Sequence, residues 1–195
     1  MNMITGIIMA SGFSRRMNRD KLLVKIDDKE MIRYSIEAAK KSYLEEIILV
    51  YRDNAVKNIA RSYDIKTVHN PNAHLGQSQS IIRGIKASRN SSYMFLAGDQ
   101  PFISHSYINK LICEYRRNNN MIVASFQGNH INTPVIFPSS FKADLLNLEG
   151  DRGGRDIIKG NPKLVRKINV ESDTILLDID TMEEYKSWIK NHSTI

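Results

Sequence analysis

Met3 to Lys21 reads MITGIIMASGFSRRMNRDK. Ile4, Ile7, Ile8 and Met9 make an apolar run fit for a buried strand. The chain then breaks at Ser11 and Gly12 into a loop that carries Arg15, Arg16, Arg19 and Lys21. A strand that opens into small residues exposes backbone N–H groups at a sheet edge, where an anion can approach and cations can meet its charge. The stretch therefore reads as a phosphate cradle, against the plainer alternative of a basic surface loop. Two standard cradles are excluded. The dinucleotide motif needs glycines spaced G-x-G-x-x-G and the Walker loop ends in Gly-Lys-Ser/Thr, whereas the only glycine in this loop is Gly12.

Working outward, Asp27 and Asp28 make a turn, and Met31, Ile32, Ile36 and Ala39 fall at helical spacing to Lys41. Glu46 to Tyr51 is an aliphatic run suited to a strand covered on both faces. Arg52 to Ser62 reads as a helix, Ile65 to His69 as a strand, Gln77 to Ser88 as a helix and Tyr93 to Ala97 as a strand. A helix is expected over Ser104 to Arg117, with strands over Met121 to Phe126 and Thr133 to Phe137 separated by a polar loop. A helix over Ser139 to Leu146, a short helix ending at Lys159, a strand over Leu164 to Asn169 and a closing helix from Thr181 to His192 complete the pattern. Strands alternating with helices in this way imply an α/β fold: a single three-layer, Rossmann-like domain over residues 1–195, with a mostly parallel sheet and helices on both faces. Ligands of such sheets bind beyond the carboxyl ends of strands. That rule singles out the loops after the first strand, before Gln77, at Asp99 and at Asp178.

Composition narrows the function. A chain of 195 residues that is 42% hydrophobic can bury one substantial core. Its single cysteine, Cys113, allows no internal disulfide and reads as a small buried hydrophobe. No apolar run approaches the roughly 18 to 20 residues of a membrane span, and the start lacks the features of a secretory signal, so a cytoplasmic protein with no membrane partner is expected. The net charge of +7 invites nucleic acid, but outside the first loop the cations are scattered among acids and no nucleic-acid-binding motif is present. A small polyanionic ligand accounts for the bias, and no nucleic-acid partner is expected.

Asp99 is the sharpest single candidate. A carboxylate just past a buried strand is well placed to hold a hard cation such as Mg²⁺ against phosphate oxygens, although a turn aspartate bonding its own backbone is the plainer reading. Asp178, at another such end, is a second candidate. Asp180 also fits the N-cap of the last helix, with Glu183 completing a capping box.

Five segments occur in order along nearly the whole chain: Met9-Ala10-Ser11-Gly12-Phe13-Ser14-Arg15-Arg16-Met17 through Lys21; Asn70-Pro71 with Gly76, Ser78, Ser80, Arg83 and Gly84; Leu96-Ala97-Gly98-Asp99-Gln100-Pro101; Pro134-Val135-Ile136-Phe137 with Gly150-Asp151-Arg152-Gly153-Gly154-Arg155; and Asp178-Ile179-Asp180-Thr181 with Glu184. Together they resemble the MobA/MocA-like NTP transferase family, and within it the molybdenum cofactor cytidylyltransferases. Ser11 and Asn18 stand where the family has alanine or glycine and glycine, Gly154 where alanine is usual, and Met182 where proline is usual. Asn132 and Thr133 precede Pro134 where Gly-His is common.

The resemblance implies a nucleotide-diphospho-sugar transferase-like fold and transfer of CMP from CTP to a molybdopterin-type phosphate, with release of pyrophosphate. It implies Lys21, Arg16 and Asp99 as catalytic residues, Asp99 with Asp178 as holders of Mg²⁺, and Ala10, Ser11, Gly12, Ser14, Asn70, Ser78 and Ser80 around the nucleotide. Asp151, Arg155 and Asp180 are implied at the acceptor. A molybdoenzyme or its chaperone is a further partner it suggests. Three alternatives stand beside this reading: guanylyl transfer, nucleotidyl transfer to a sugar or polyol phosphate, and a module that binds nucleotide or cofactor without turnover.

Overall fold

The computed structural model describes residues 3–13, 20–170, 174–177, 179 and 184. The chain begins with strand β1 (Ile4–Ala10), then a two-strand ribbon of β2 (Lys25–Ile26) and β3 (Lys29–Glu30), helix α1 (Met31–Lys40) and strand β4 (Glu46–Tyr51). It continues through α2 (Asn54–Arg61), β5 (Lys66–His69), α3 (Gln77–Ala87), β6 (Ser92–Ala97) and α4 (His105–Arg117). The hairpin of β7 (Ile122–Gln127) and β8 (His130–Phe137), the short helices α5 (Lys142–Leu146) and α6 (Arg155–Gly160), and strand β9 (Val165–Asn169) follow. The helix expected from Thr181 to His192 lies outside the described residues.

Seven strands form one sheet in the order β5-β4-β1-β6-β8-β7-β9. β4 and β6 flank β1 in parallel, and β5 extends β4 in parallel. Within this sheet β8 runs against both of its neighbours, while β9 is parallel to β7. The exception has a local cause. Only Gly128 and Asn129 join β7 to β8, and two residues can turn a chain back but cannot carry it across a sheet. Gly128 takes the positive φ of 58° that this turn needs. β8 thus begins at His130, so Asn132 and Thr133 belong to the strand and not to the expected loop before it.

Alternation along the strands divides the core into two layers. Ile4 and Ile8 of β1, Leu49 of β4 and Met94 of β6 pack with Ile32 and Ile36 of α1, Val56 of α2 and Ile108 and Leu111 of α4. Ile7, Ile48, Tyr93 and Phe95, one residue out of phase, pack on the other face with Ile81 and Ile85 of α3 and Leu145 of α5. Each fully buried aliphatic side chain contributes about 1.5–3 kcal/mol by leaving water. α3 lies unusually close to β1: a Cβ added at Gly84 would come within 2.4 Å of Ile7 Cγ2, so glycine permits the contact.

Two local expectations need correction. β2 and β3 are two residues each, too short for any periodic signal, although the turn between them falls at Asp27 and Asp28 as expected, with φ of 48° and 61°. Cys113, expected to be buried, is exposed. α4 buries Tyr107, Ile108, Leu111, Ile112 and Tyr115, and Cys113 falls about 100° around the helix from Ile112, beyond that stripe.

Candidate active site

The sheet order reverses between β1 and β6: β4 and β5 build outward from one side of β1, and the chain then crosses to the other. The crevice at such a switch point, beyond the carboxyl ends of the strands, is where an α/β sheet binds its ligands. β1 delivers Ser11 and Gly12 to it, and β6 delivers Gly98 and Asp99. Gly98 sits at the close crossing, where its N–H donates to Met9 O at 3.2 Å and a Cβ would stand 3.0 Å from Ile32 Cδ1.

The crevice has two lobes. The larger, of about 770 Å³, is lined by Ser11, Gly12, Phe13, Lys21, the segment from Ala73 to Gln77, Ser80, Asp99 and Asp151. The smaller, of about 280 Å³, is lined by Ile81, Phe95, the β8 residues Ile131 to Thr133, Gly153, Gly154 and Arg155. Met9, Gln77, Ala97 and Asp99 belong to both, so the lobes meet at Asp99. Across that junction the ammonium of Lys21 forms an ion pair with the Asp99 carboxylate, the two side chains being only 14% and 22% exposed. A two-lobed crevice with one carboxylate and one ammonium where the lobes meet suits two phosphate-bearing molecules brought end to end.

Residues 6–167 match the MobA-like NTP transferase domain. The chain belongs to that family. It is 26% identical to the purine catabolism protein PucB of Bacillus subtilis over 195 residues, 93% of this chain and 94% of PucB. It is 24% identical to the molybdenum cofactor cytidylyltransferase of Escherichia coli over 193 residues, 95% of each. Among solved structures, a nucleotidyl transferase from Methanothermobacter thermautotroptrophicus matches with a TM-score of 0.85 at 19% identity, over 98% of each chain.

Of the residues singled out in the sequence, Ser11, Gly12, Lys21, Ser80, Asp99 and Asp151 line the larger lobe and Arg155 the smaller. Ser14, Arg16, Asp178 and Asp180 lie outside the described residues. Ala10, Asn70 and Ser78 are buried behind the wall, at 2%, 0% and 0% exposure. Asn70 acts through its neighbours: its Nδ2 donates to Ser11 Oγ at 3.1 Å and to Ser80 Oγ at 3.3 Å, while the two hydroxyls bond each other at 2.5 Å. The wall beside the first loop is therefore a closed polar network that fixes two hydroxyls.

Asp151 is also engaged. Its Oδ1 accepts from Gln77 N at 3.2 Å, at the first residue of α3, and Gly150 O accepts from Ser78 N at 3.2 Å. A carboxylate there satisfies a helix N–H that has no partner within the helix and complements the helix dipole. Gly76 makes the approach possible, with φ of 105° and the Gly150 carbonyl carbon 2.4 Å from where a Cβ would stand.

Two supports escaped the sequence reading. Ser35, fully buried on α1, places its hydroxyl 3.2 Å from Ala97 O and 3.4 Å from both Gly98 O and Gln100 O, gathering the backbone on either side of Asp99. A hydroxyl on the apolar stripe of Met31, Ile32, Ile36 and Ala39 was its only sequence signal. Gln100, 2% exposed, accepts from Thr133 Oγ1 at 3.1 Å and donates to Leu176 O at 3.4 Å, while Ile179 N donates to Asp99 O at 3.4 Å. These bonds lay residues 174–177 and Ile179 against the Asp99 loop.

Among the described residues no three Asp, Glu, His or Cys side chains gather as a metal cage. Mg²⁺ does not require one, because it keeps several waters and takes one or two carboxylates together with substrate phosphates. Asp99, at the junction of the lobes, fits a metal that arrives with a triphosphate.

Proposed function

We propose that this protein transfers CMP from CTP to a molybdopterin-type phosphate, releasing pyrophosphate and forming the dinucleotide form of the cofactor. Membership of the NTP transferase family supports the reaction class. The observation that carries the reading is the meeting of two lobes at Asp99 and Lys21: the larger takes the nucleotide and the smaller takes the acceptor.

Nucleotidyl transfer asks little covalent chemistry of a protein. It asks for in-line placement of two anions that repel each other and for neutralisation of the charge that moves onto pyrophosphate. The acceptor phosphate oxygen attacks the α-phosphorus, a new P–O bond forms, and the bond to the β-phosphate oxygen breaks. Mg²⁺, when bound, neutralises phosphate charge at this point; Asp99 would hold it, with Asp178 assisting. Lys21 and Arg16 offset charge on the departing pyrophosphate, and the backbone from Ser11 to Ser14 cradles the chain of phosphates. Arg155, in the smaller lobe, meets the acceptor, and Asp180 is assigned to the same substrate. Asp151, which lines the larger lobe and caps α3, fixes the boundary between them.

The choice of CTP rests on Ser11. Its Cβ and hydroxyl, tied to Ser80 and Asn70, occupy a corner that a glycine would leave open to a purine. The match to the Escherichia coli cytidylyltransferase along 95% of both chains agrees with this choice. The protein acts in the cytoplasm, where a molybdoenzyme or its chaperone would receive the product. Incubation with CTP, Mg²⁺ and molybdopterin-type cofactor, followed by mass spectrometry of the pterin product, tests the assignment. A mass gain of one cytidylyl group supports it, and an unmodified pterin beside active enzyme on a sugar or polyol phosphate overturns it.

A further inference from the structure

Arg52 stands one residue beyond β4. Tyr51 pairs in register with Ala10, so Arg52 emerges at the level of Ser11, beside the mouth of the larger lobe. Its backbone is held from both sides, since Tyr51 is buried and Asp53 caps α2 by accepting from Ala55 N at 2.7 Å. From there the guanidinium makes two contacts. Its central carbon lies 4.7 Å from the centroid of the Phe13 ring, and Nη2 donates to Asp20 Oδ2 at 3.2 Å. Phe13 and Asp20 immediately flank residues 14–19 in sequence, so one side chain grips the chain on either side of that segment.

Asp20 passes the grip on. Its other oxygen accepts from Leu22 N at 3.1 Å, capping the single 3-10 turn from Lys21 to Leu23, and Leu22 is buried in the core beneath. The Asp20 side chain is only 8% exposed. Burial pushes its carboxyl above the usual value of 3.8, opposed by the Leu22 N–H and the Arg52 charge. Lys21 is the next residue, and its ammonium faces Asp99.

We propose that Arg52 is a positioning residue for the triphosphate site: it fixes Phe13 and Asp20, and through the Asp20 cap it sets the place of Lys21. The planar guanidinium is what allows this, because one face stacks on an aromatic ring while an edge bonds a carboxylate. Lysine supplies the charge without the stack. The proposal rests on the reading of Lys21 as a phosphate-binding residue, and a displacement of about 1 Å in such a residue can cost up to ~100-fold.

Calorimetric titration of CTP with Mg²⁺ and no acceptor measures the effect apart from turnover. Arg52→Ala is expected to weaken CTP binding about tenfold to 100-fold, Arg52→Lys less, and Lys21→Ala/Arg52→Ala no more than Lys21→Ala alone. If Arg52→Ala fails to fold, Arg52→Lys and Phe13→Leu carry the same comparison with Lys21→Ala. Affinity within about twofold of the parent in the Arg52 variants, or losses that simply add in the double variant, would overturn the proposal. Unaltered affinity in Lys21→Ala would overturn it together with the reading beneath it, whereas a loss in Lys21→Ala with none in Arg52→Ala would remove the proposal alone.

Discussion

Lys21 and Asp99 face each other across the junction of the two lobes and neutralise each other there. A triphosphate with its metal offers each a stronger partner: phosphate oxygens for the ammonium, the cation for the carboxylate. The pair is thus a preorganised site that divides between its substrates, and substituting either member leaves the other without its partner.

Asp99→Asn keeps the side-chain volume and removes the charge. Turnover is expected to fall by about two to three orders of magnitude, the cost of losing one preorganised electrostatic contact. The melting temperature should stay close to that of the parent, because the residue is not part of the core. Mg²⁺-dependent activity equal to the parent in a purified, folded variant would remove Asp99 from the site.

Ser11→Gly removes the hydroxyl that bonds Ser80 and Asn70. The ratio of kcat/KM for CTP to that for GTP should fall, since the corner opens and its polar groups lose their fixed geometry. A modest stability cost of about 1–2 kcal/mol is expected for the broken buried hydrogen bonds. An unchanged ratio would show that base selection lies elsewhere in the larger lobe.

The strands that build the site were legible because Ile4 to Ala10, Glu46 to Tyr51 and Ser92 to Ala97 are buried on both faces, so their apolar runs are continuous. Gly12, Lys21 and Asp99 were legible because position relative to those strand ends is local information. What escaped depends on contacts between distant segments. Asn70 and Ser78 were read as touching nucleotide, and both are buried behind the wall; for Asn70 the reason is a bond to Ser11 across 59 residues. Ser35 and Arg52 carry no motif, and their meaning appears only when α1 and β4 are placed against the loops they hold.

Gly76→Ala should be among the costliest substitutions outside the core. Its φ of 105° disfavours any side chain, and a Cβ would overlap the Gly150 carbonyl. A loss of more than about 2 kcal/mol in denaturant unfolding is expected, with weaker nucleotide binding as α3 and the Asp151 loop separate. Parent-like stability would contradict the close packing of those two backbones.

Acid should weaken the fold partly through Glu37. Burial pushes its carboxyl up, but hydrogen bonds from Lys29 at 2.8 Å and Tyr63 at 2.8 Å outweigh burial and leave it below 4.5. A carboxyl lowered in the folded state contributes stability that is present above pH ~4.5 and is lost as pH falls through the folded value. Asp20, raised above 3.8, acts in the opposite sense and regains stability as it protonates. Thermal melts from pH 6 to pH 3 should therefore show a steeper decline in the parent than in Glu37→Gln. Parallel declines would assign the acid sensitivity to other groups.

Pyrophosphate release, measured with each of CTP, GTP, ATP and UTP, with and without molybdopterin-type cofactor, tests the central claim most directly. The account predicts Mg²⁺-dependent release that requires the acceptor and is fastest, by kcat/KM, with CTP. Equal or faster release with GTP would move the protein to guanylyl transfer, and no release with any triphosphate in the presence of that acceptor would contradict the account.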